Sequence, residues 1–409
     1  MHDVELYQQI FGLSSPWKVE QVELDTAGQR VEVVVSHGEG MKWKCPHCER
    51  ELAVYDHSEE RTWRHLDTCQ FMTLLRARIP RVNCPEHGVI QAAIPWAEAR
   101  GRFTMLFERF AIDVLLQCQT TQGACTLLRI SWDEAQAIRD RAVKRGQARK
   151  KATVVPRIGV DEKAFRRGQS YMTVVCNLDE GVVEFVSDDR TKDSLKAFYD
   201  SRTPRQLKGI KAVAMDMWEP YVQATRENLP GAAGKIVFDR FHIMQHMGEA
   251  VDDVRKAEHR ALLRLGDETL KGTKYLFLTG QENLSEKRQE ELDSLPLSIL
   301  KTGRAWAIKE TLRDLWNNPT PDSARTFFKR WYNWAIRSRL EPVKDVARMI
   351  SRRLNNVVSY CKHWITNAVS EGLNSKIMSI KRRASGYRNP ESFKTAIYFY
   401  CGGLDMDPR

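Results

Sequence analysis

Two short cysteine motifs constrain this chain more than any other feature. Cys45-Pro46-His47-Cys48 sets two thiols two residues apart, and Cys84-Pro85-Glu86-His87 repeats the spacing with an imidazole in the last place. Two intervening residues let one tight turn present both side chains to a single ion. Two such turns complete a tetrahedral set of three thiolates and one imidazole, the composition of a structural zinc site. The 35 residues between the knuckles are too many for a compact finger and suit a ribbon with strands between its halves. A closed four-ligand site keeps no open coordination position, so its role is structural rather than catalytic. His47, His65 and Cys69 are the nearby residues that would substitute as ligands if His87 were only a surface residue. The six cysteines outside the knuckles (Cys69, Cys118, Cys125, Cys176, Cys361, Cys401) are scattered, mostly among apolar neighbours. They are expected as free thiols, mainly buried, not as a disulfide framework.

Around this landmark the pattern changes character along the chain. Residues 17–36 alternate as strands and break at Ala27-Gly28, which predicts a hairpin. Residues 42–96 hold short strands with the knuckles, and from Phe103 to about Arg149 the period becomes helical. Strands are predicted at Arg157–Phe165, Tyr171–Asn177 and 181–186, with Arg166-Arg167-Gly168-Gln169 as the first turn. A helix follows at Thr191–Asp200, then buried strands at 210–215 and 235–238. Residues 243 to about 380 read as almost wholly helical, broken at Pro296, Pro319-Thr320-Pro321 and Pro342. Three strands in hairpin sequence, then helix, strand, helix, strand, resemble the ribonuclease-H-like order. The expected fold is a multidomain α/β chain: a ribonuclease-H-like core interrupted by an all-helical insertion, behind an N-terminal zinc ribbon and a helix-turn-helix. The boundaries expected are 1–100 for the N-terminal strands and ribbon, and 101–151 for the helix-turn-helix. The core is expected at 152–249 and 356–409, with the helical insertion at 250–355 between its two parts. Trp306, Trp316, Trp331 and Trp334 have spacing suited to a packed core in that insertion.

Charge narrows the function. The 409 residues carry 64 Lys+Arg against 53 Asp+Glu, a net charge of +11, and 42% of them are hydrophobic. That apolar fraction excludes disorder as the main state, and no run approaches the roughly 18 apolar residues of a membrane span. The first residues are acidic and lack an apolar signal core, so a cytoplasmic, nucleoid-associated protein is expected. An excess of cations points to an anionic partner, nucleic acid above all. Ser131 and Glu134 have the form of a capping box opening a helix that carries Gln136, Arg139, Arg141, Lys144 and Arg145. A capped helix after a tight turn, rich in cations, is the arrangement that places a recognition helix in the major groove. Gln136, Arg139, Lys144 and Arg145 are therefore the expected DNA contacts; an ordinary helical hairpin with a solvated basic face is the competing reading.

Three carboxylates stand out by their surroundings. Asp161 ends the apolar approach Ile158-Gly159-Val160, and Asp216 follows the buried run Ala212-Val213-Ala214-Met215. A carboxylate at the end of a buried strand is expensive unless paired, and a metal ion is the usual partner. Two on neighbouring strands favour a hard cation such as Mg²⁺, with Mn²⁺ as a substitute. Glu371 lies in a helical stretch just upstream of Lys376, Lys381, Arg382 and Arg383, cations suited to DNA phosphates. Two strand aspartates and a helix glutamate can hold two metals about 3.5–4 Å apart. Glu162, Asp188, Asp189 and Glu219 are nearby competitors. His242, three residues after Asp239, is either part of a helix-capping pair or a group beside the scissile phosphate.

These residues together resemble the ISL-three family of bacterial insertion-sequence transposases, whose core is an Asp-Asp-Glu site. The resemblance runs in order through the knuckles, Ile130-Ser131-Trp132, Gly159-Val160-Asp161-Glu162, Met215-Asp216-Met217 and Phe238-Asp239-Arg240-Phe241-His242. It is most specific from Thr366-Asn367 through Ser370-Glu371-Gly372-Leu373-Asn374 to Gly386-Tyr387-Arg388. One departure is His87, where the family often has Cys. The resemblance implies that Asp161, Asp216 and Glu371 are the catalytic acids that bind two Mg²⁺ ions. It also implies terminal inverted repeats and target DNA as substrates, and cleavage followed by strand transfer. Holding two DNA ends together implies a homodimer on DNA. The 155 positions between Asp216 and Glu371, against 55 between the aspartates, require an insertion before the glutamate helix. Two rival readings share these features: a DNA-binding regulator without activity, and a ribonuclease-H-like nuclease without strand transfer.

Overall fold

The computed structural model describes residues 3–166, 170–366 and 368–409. Residues 167–169 of the expected first turn, and Asn367, lie outside the described residues. The chain divides into two compact units. One comprises residues 1–150, 380–400 and 404–409; the other comprises 151–379 and 401–403.

The first unit opens with helix α1 (Asp3–Ile10) and eight strands. They are β1 (Trp17–Asp25), β2 (Arg30–His37), β3 (Lys42–Lys44), β4 (Glu51–His57), β5 (Arg61–Arg64), β6 (Met72–Ala77), β7 (Pro80–Cys84) and β8 (Gly88–Gln91). Two four-stranded sheets form, in the orders β1-β2-β6-β5 and β3-β4-β7-β8. The alternation of β2 turns Val31, Val33 and Val35 inward, where they meet Leu75 of β6 and Val82 of β7 in a shared core with Trp17, Trp43, Trp63 and Trp96. The expected β1–β2 hairpin is present, paired from Trp17 opposite His37 to Asp25 opposite Arg30.

Three helices follow: α2 (Met105–Gln117), α3 (Thr121–Leu128) and α4 (Trp132–Arg149). Each is started by a hydroxyl that accepts a backbone N–H, from Thr104, Thr120 and Ser131 respectively. At Ser131 the full capping box with Glu134 is formed, as the sequence predicts. The three pack around Ala111, Ile112, Leu128, Ile138 and Ala142, and Phe399 and Met406 from the chain's end join this core. Gly146 permits the close approach there, because a Cβ would come within 2.6 Å of Leu404.

The second unit is built on strands β9 (Arg157–Arg166), β10 (Ser170–Asn177) and β11 (Val182–Asp188). Helices α5 (Lys192–Asp200) and α6 (Pro204–Gly209) lead to β12 (Ala212–Met215), and α7 (Glu219–Asn228) leads to β13 (Ile236–Phe238). The sheet order is β11-β10-β9-β12-β13; β9, β10 and β11 are antiparallel neighbours, while β12 runs parallel to both β9 and β13. All four residues of β12 are buried, as its apolar run requires of a central strand.

After β13 the chain is helical. The helices are α8 (Arg240–Leu263), α9 (Lys274–Leu278), α10 (Glu286–Asp293), α11 (Lys301–Leu312), α12 (Pro321–Arg337), α13 (Glu341–Arg352), α14 (Leu354–Val358), α15 (Tyr360–His363), α16 (Ala368–Arg383) and α17 (Pro390–Cys401). The helical run is interrupted where the sequence predicts, around Pro296, Pro319–Pro321 and Pro342; Pro321 and Pro342 themselves sit in the first turns of α12 and α13, where a missing N–H costs nothing. Trp316 and Trp331 are buried in the common core, and Trp306 packs on it half-buried. Trp334 is an exception to the packed-core expectation, 41% exposed. No helix among the described residues is long and apolar enough to cross a membrane.

Candidate functional site

The knuckles occupy the ends of the second small sheet. Cys45 and Cys48 follow β3, Cys84 ends β7, and His87 sits in the turn to β8. Cys48 and Cys84 sulfurs lie 3.6 Å apart, and His87 Nδ1 lies 3.7 Å from Cys45 Sγ and 3.5 Å from Cys84 Sγ. A tetrahedron with Zn–S of about 2.3 Å and Zn–N of about 2.0 Å has edges of about 3.8 Å between sulfurs and about 3.5 Å between sulfur and nitrogen. The donor set and its spacing therefore fit structural zinc. Among the described residues this is the only group of three or more such side chains whose donor atoms converge within 4.8 Å. The substitute ligands fall away. His65 is buried against the Thr104 hydroxyl, which holds it neutral: burial pushes its pKa down to about 4. Cys69 is exposed and outside the cluster.

The helical segment corrects part of the expected DNA-contact set. Ala135, Ile138, Ala142, Val143 and Gly146 form the buried stripe of α4, and Arg139 lies in that stripe, only 1% exposed. Its Nη1 donates to the Tyr387 hydroxyl at 3.3 Å. Arg145 is held by two acids, Glu98 at 2.5 Å and the buried Glu108 at 3.0 Å, and donates to the Met406 carbonyl. Arg141 also pairs with Glu108. Arg139 and Arg145 therefore serve the interior of this unit and are not open to a phosphate. Lys144 is exposed, and Gln136 is half-buried with its amide on Asp140.

The carboxylates are arranged by register. β9 and β12 pair up to Gly159 beside Ala214; Asp161 follows two residues on within β9, and Asp216 two residues on, just past the end of β12. Asp161 Oδ1 accepts the Glu162 N–H at 2.8 Å, and its Oδ2 accepts the Asn374 amide at 2.5 Å. Burial pushes the Asp161 carboxyl above its ordinary range, against the pull of that Glu162 N–H and of His242. Glu162, also driven up by burial and by the charges of Asp161 and Asp216, pairs with Arg190 at 3.5 Å. Asp216 takes the Met217 N–H at 2.6 Å and faces His242 Nδ1 at 4.0 Å. Of the two readings of Asp239 and His242, the cap forms between Asp239 and the Phe241 N–H, leaving the imidazole on the Asp216 side. Glu219, a competitor in the sequence, is paired with Arg353.

Glu371 stands in the first turn of α16, exposed to a cavity of about 410 Å³ that Asp239, Phe241, Arg313 and Trp316 also line. The helix is tied to the sheet on both sides of it: Ser370 Oγ meets Cys176 Sγ at 3.0 Å, and Asn374 reaches Asp161. Asn374 was not singled out from sequence, although its position three residues after Glu371 puts it one turn away on nearly the same face. Lys376 and Arg382 are exposed on this helix, whereas Arg383 lies against the Tyr400 ring, 5.3 Å from its centroid, and Lys381 is half-buried.

Among the described residues, Asp161, Asp216 and Glu371 have no ion pair with Lys or Arg. Carboxylates left without such partners, with Asp161 also raised by burial, have the donor chemistry that suits a hard divalent cation.

Together these are a four-ligand cluster suited to structural zinc, a three-helix segment and a sheet that carries buried acids. A family model described as a transposase, of the DDE type, matches residues 158–397. A model for the zinc-finger of the transposases IS204/IS1001/IS1096/IS1165 matches 42–87, and one for the helix-turn-helix domain of transposase family ISL3 matches 92–143. The chain belongs to the ISL3 family of transposases. It is 27% identical to the transposase for insertion sequence element IS1557 of Mycobacterium tuberculosis, over 96% of this chain and 94% of that protein. It is 26% identical to the transposase for IS1001 of Bordetella parapertussis, over 85% and 86%.

Proposed function

We propose that this chain, a transposase of an insertion sequence element, binds the terminal inverted repeats of that element as a dimer, cuts the DNA at its ends and joins them to target DNA. The β9–β13 sheet is read as a ribonuclease-H-like core, interrupted by the helices between β13 and α16. The observation that carries the reading is the pairing of β9, which bears Asp161, with β12, which leads directly into Asp216, with the Glu371 helix fastened to Asp161 through Asn374.

Asp161, Asp216 and Glu371 are the groups that would hold Mg²⁺. Bound there, the ions would supply Lewis-acid activation of a water and then of a 3′-hydroxyl, and neutralise charge on the scissile phosphate. Asn374 donates to Asp161 Oδ2 and holds the orientation of that carboxylate, the usual task of an outer partner. His242 sits beside Asp216, placed to steady that carboxylate or to receive a proton at Nδ1. Lys376 and Arg382 extend the DNA track along α16.

End recognition falls to the first unit. The test uses duplexes carrying the inverted repeats found in the DNA flanking the gene. The chain should shift these and not scrambled duplexes; equal affinity for both would remove the end-binding claim. Replacing exposed Lys144 by Ala should weaken binding and reduce the slope of log K against log salt by about 1. Arg139→Met, made in the buried stripe, should leave that slope unchanged. An unchanged slope for Lys144→Ala would take this helix off the phosphate backbone.

A further inference from the structure

We propose that Asp239 is a fourth metal-binding carboxylate, so that the divalent cations are held by Asp161, Asp216, Asp239 and Glu371. The inference rests on the metal-dependent reading above and extends it to a residue whose sequence context suggests only a helix cap.

Its position follows from strand register. β13 runs parallel to β12 with Phe238 opposite Met215, so the next residues, Asp239 and Asp216, stand side by side. The Asp239 N–H donates to the Met215 carbonyl at 3.0 Å, which continues the pairing to that level. Together with the β9–β12 register, this sets Asp216 and Asp239, each the residue just past the end of its strand (β12 and β13), next to the stretch of β9 that carries Asp161. Asp239 also lines the same cavity as Glu371. It thus bridges the strand acids and the helix glutamate.

Capping explains only half of the side chain. Oδ1 accepts the Phe241 N–H at 3.1 Å and starts α8. Oδ2 is buried and has no hydrogen-bond partner among the described residues, in a residue only 6% exposed. A buried carboxylate oxygen without a partner is costly, and a cap does not need it, since Asn or Ser serves as well. Burial is the main cost to this carboxylate; the Phe241 N–H and His242 relieve part of it, and the charges of Glu371 and Asp161 add to it. A cation shared with those acids satisfies Oδ2 and offsets the repulsion.

Asn and Ser both preserve the cap while removing the carboxylate, so they separate the two roles. The zinc-loaded full-length chain is titrated with Mn²⁺, without DNA, and free Mn²⁺ is followed by electron paramagnetic resonance. Asp239→Asn and Asp239→Ser should each weaken Mn²⁺ binding at least about tenfold, while their thermal midpoints stay near that of the unaltered chain. Asp161→Asn should weaken binding too. If both Asp239 variants take up Mn²⁺ as the unaltered chain does while Asp161→Asn does not, Asp239 is a cap alone and the proposal is overturned. If Asp161→Asn also binds normally, the metal reading of the whole site fails, and this proposal with it.

Discussion

Asp161→Asn should lower cleavage of the element's ends by at least about a thousandfold and leave their binding unchanged. The side chain keeps its size, and its one amide oxygen can still accept from Asn374, so the α16 tie should survive at the expense of the Glu162 N–H contact. What is lost is one negative charge from the centre of the acid cluster. Metal stabilisation of the transition state is worth several kcal/mol, and about 4 kcal/mol corresponds to a thousandfold in rate. A second readout separates this from misfolding. Burial raises the Asp161 carboxyl, which means that its ionised form is disfavoured in the metal-free fold. Near neutral pH, a neutral Asn relieves that cost, so the metal-free variant should melt no lower than the unaltered chain. Loss of cleavage with a lowered melting point and lost end binding would assign Asp161 to the fold instead.

Removing zinc should have the largest effect on stability. The sheet β3-β4-β7-β8 has strands of three to seven residues, and two of its three loops are knuckles. So small a sheet cannot hold itself together through ladder bonds, and structural zinc contributes about 10–16 kcal/mol in finger peptides. Arg50 and Glu86 also join the knuckles, 2.9 Å apart, but both are about half-exposed and the pair is worth little. Chelation, or Cys84→Ser, should lower the thermal midpoint of the first unit by at least about 10 °C. Trp43 follows Lys42 in β3 and packs 5.0 Å from Trp17, so tryptophan emission should shift to the red as that contact opens. Elemental analysis should find one zinc per chain before chelation. A full-length protein that loses its zinc with neither emission nor midpoint changed would show that the knuckles are not a structural site.

The sequence carried the local parts of this architecture well, because their causes are local. Ser131 and Glu134 are three residues apart and form their capping box within one helical turn. The apolar run at Ala212–Met215 could only be a buried strand once its length excluded a helix. The cysteine knuckles declare themselves by spacing. Arg139 was readable in principle: four residues after Ala135 and four before Val143, it falls on the apolar stripe, where net charge alone gave no warning. Arg145 was not readable, since its partners Glu98 and Glu108 lie 47 and 37 positions away and meet it only through folding. The same holds for Asp239. Next to Phe241 and His242 it looks like a cap, which it is; its place beside Asp216 depends on how β12 and β13 pair. Asn374 was visible as a residue but not as a tie, because its target Asp161 lies 213 positions away.

The central claim is that acids from distant segments, Asp161 on β9, Asp216 just past β12 and Glu371 on α16, make one site that joins DNA. The direct measurement is strand transfer from a pre-cut element end into supercoiled target plasmid with Mg²⁺, comparing the unaltered chain with Glu371→Gln. The unaltered chain should yield end–target joints and Glu371→Gln none, although it still binds the end. Ends that are cut but never joined by the unaltered chain, or joints formed equally well by Glu371→Gln, would contradict the account.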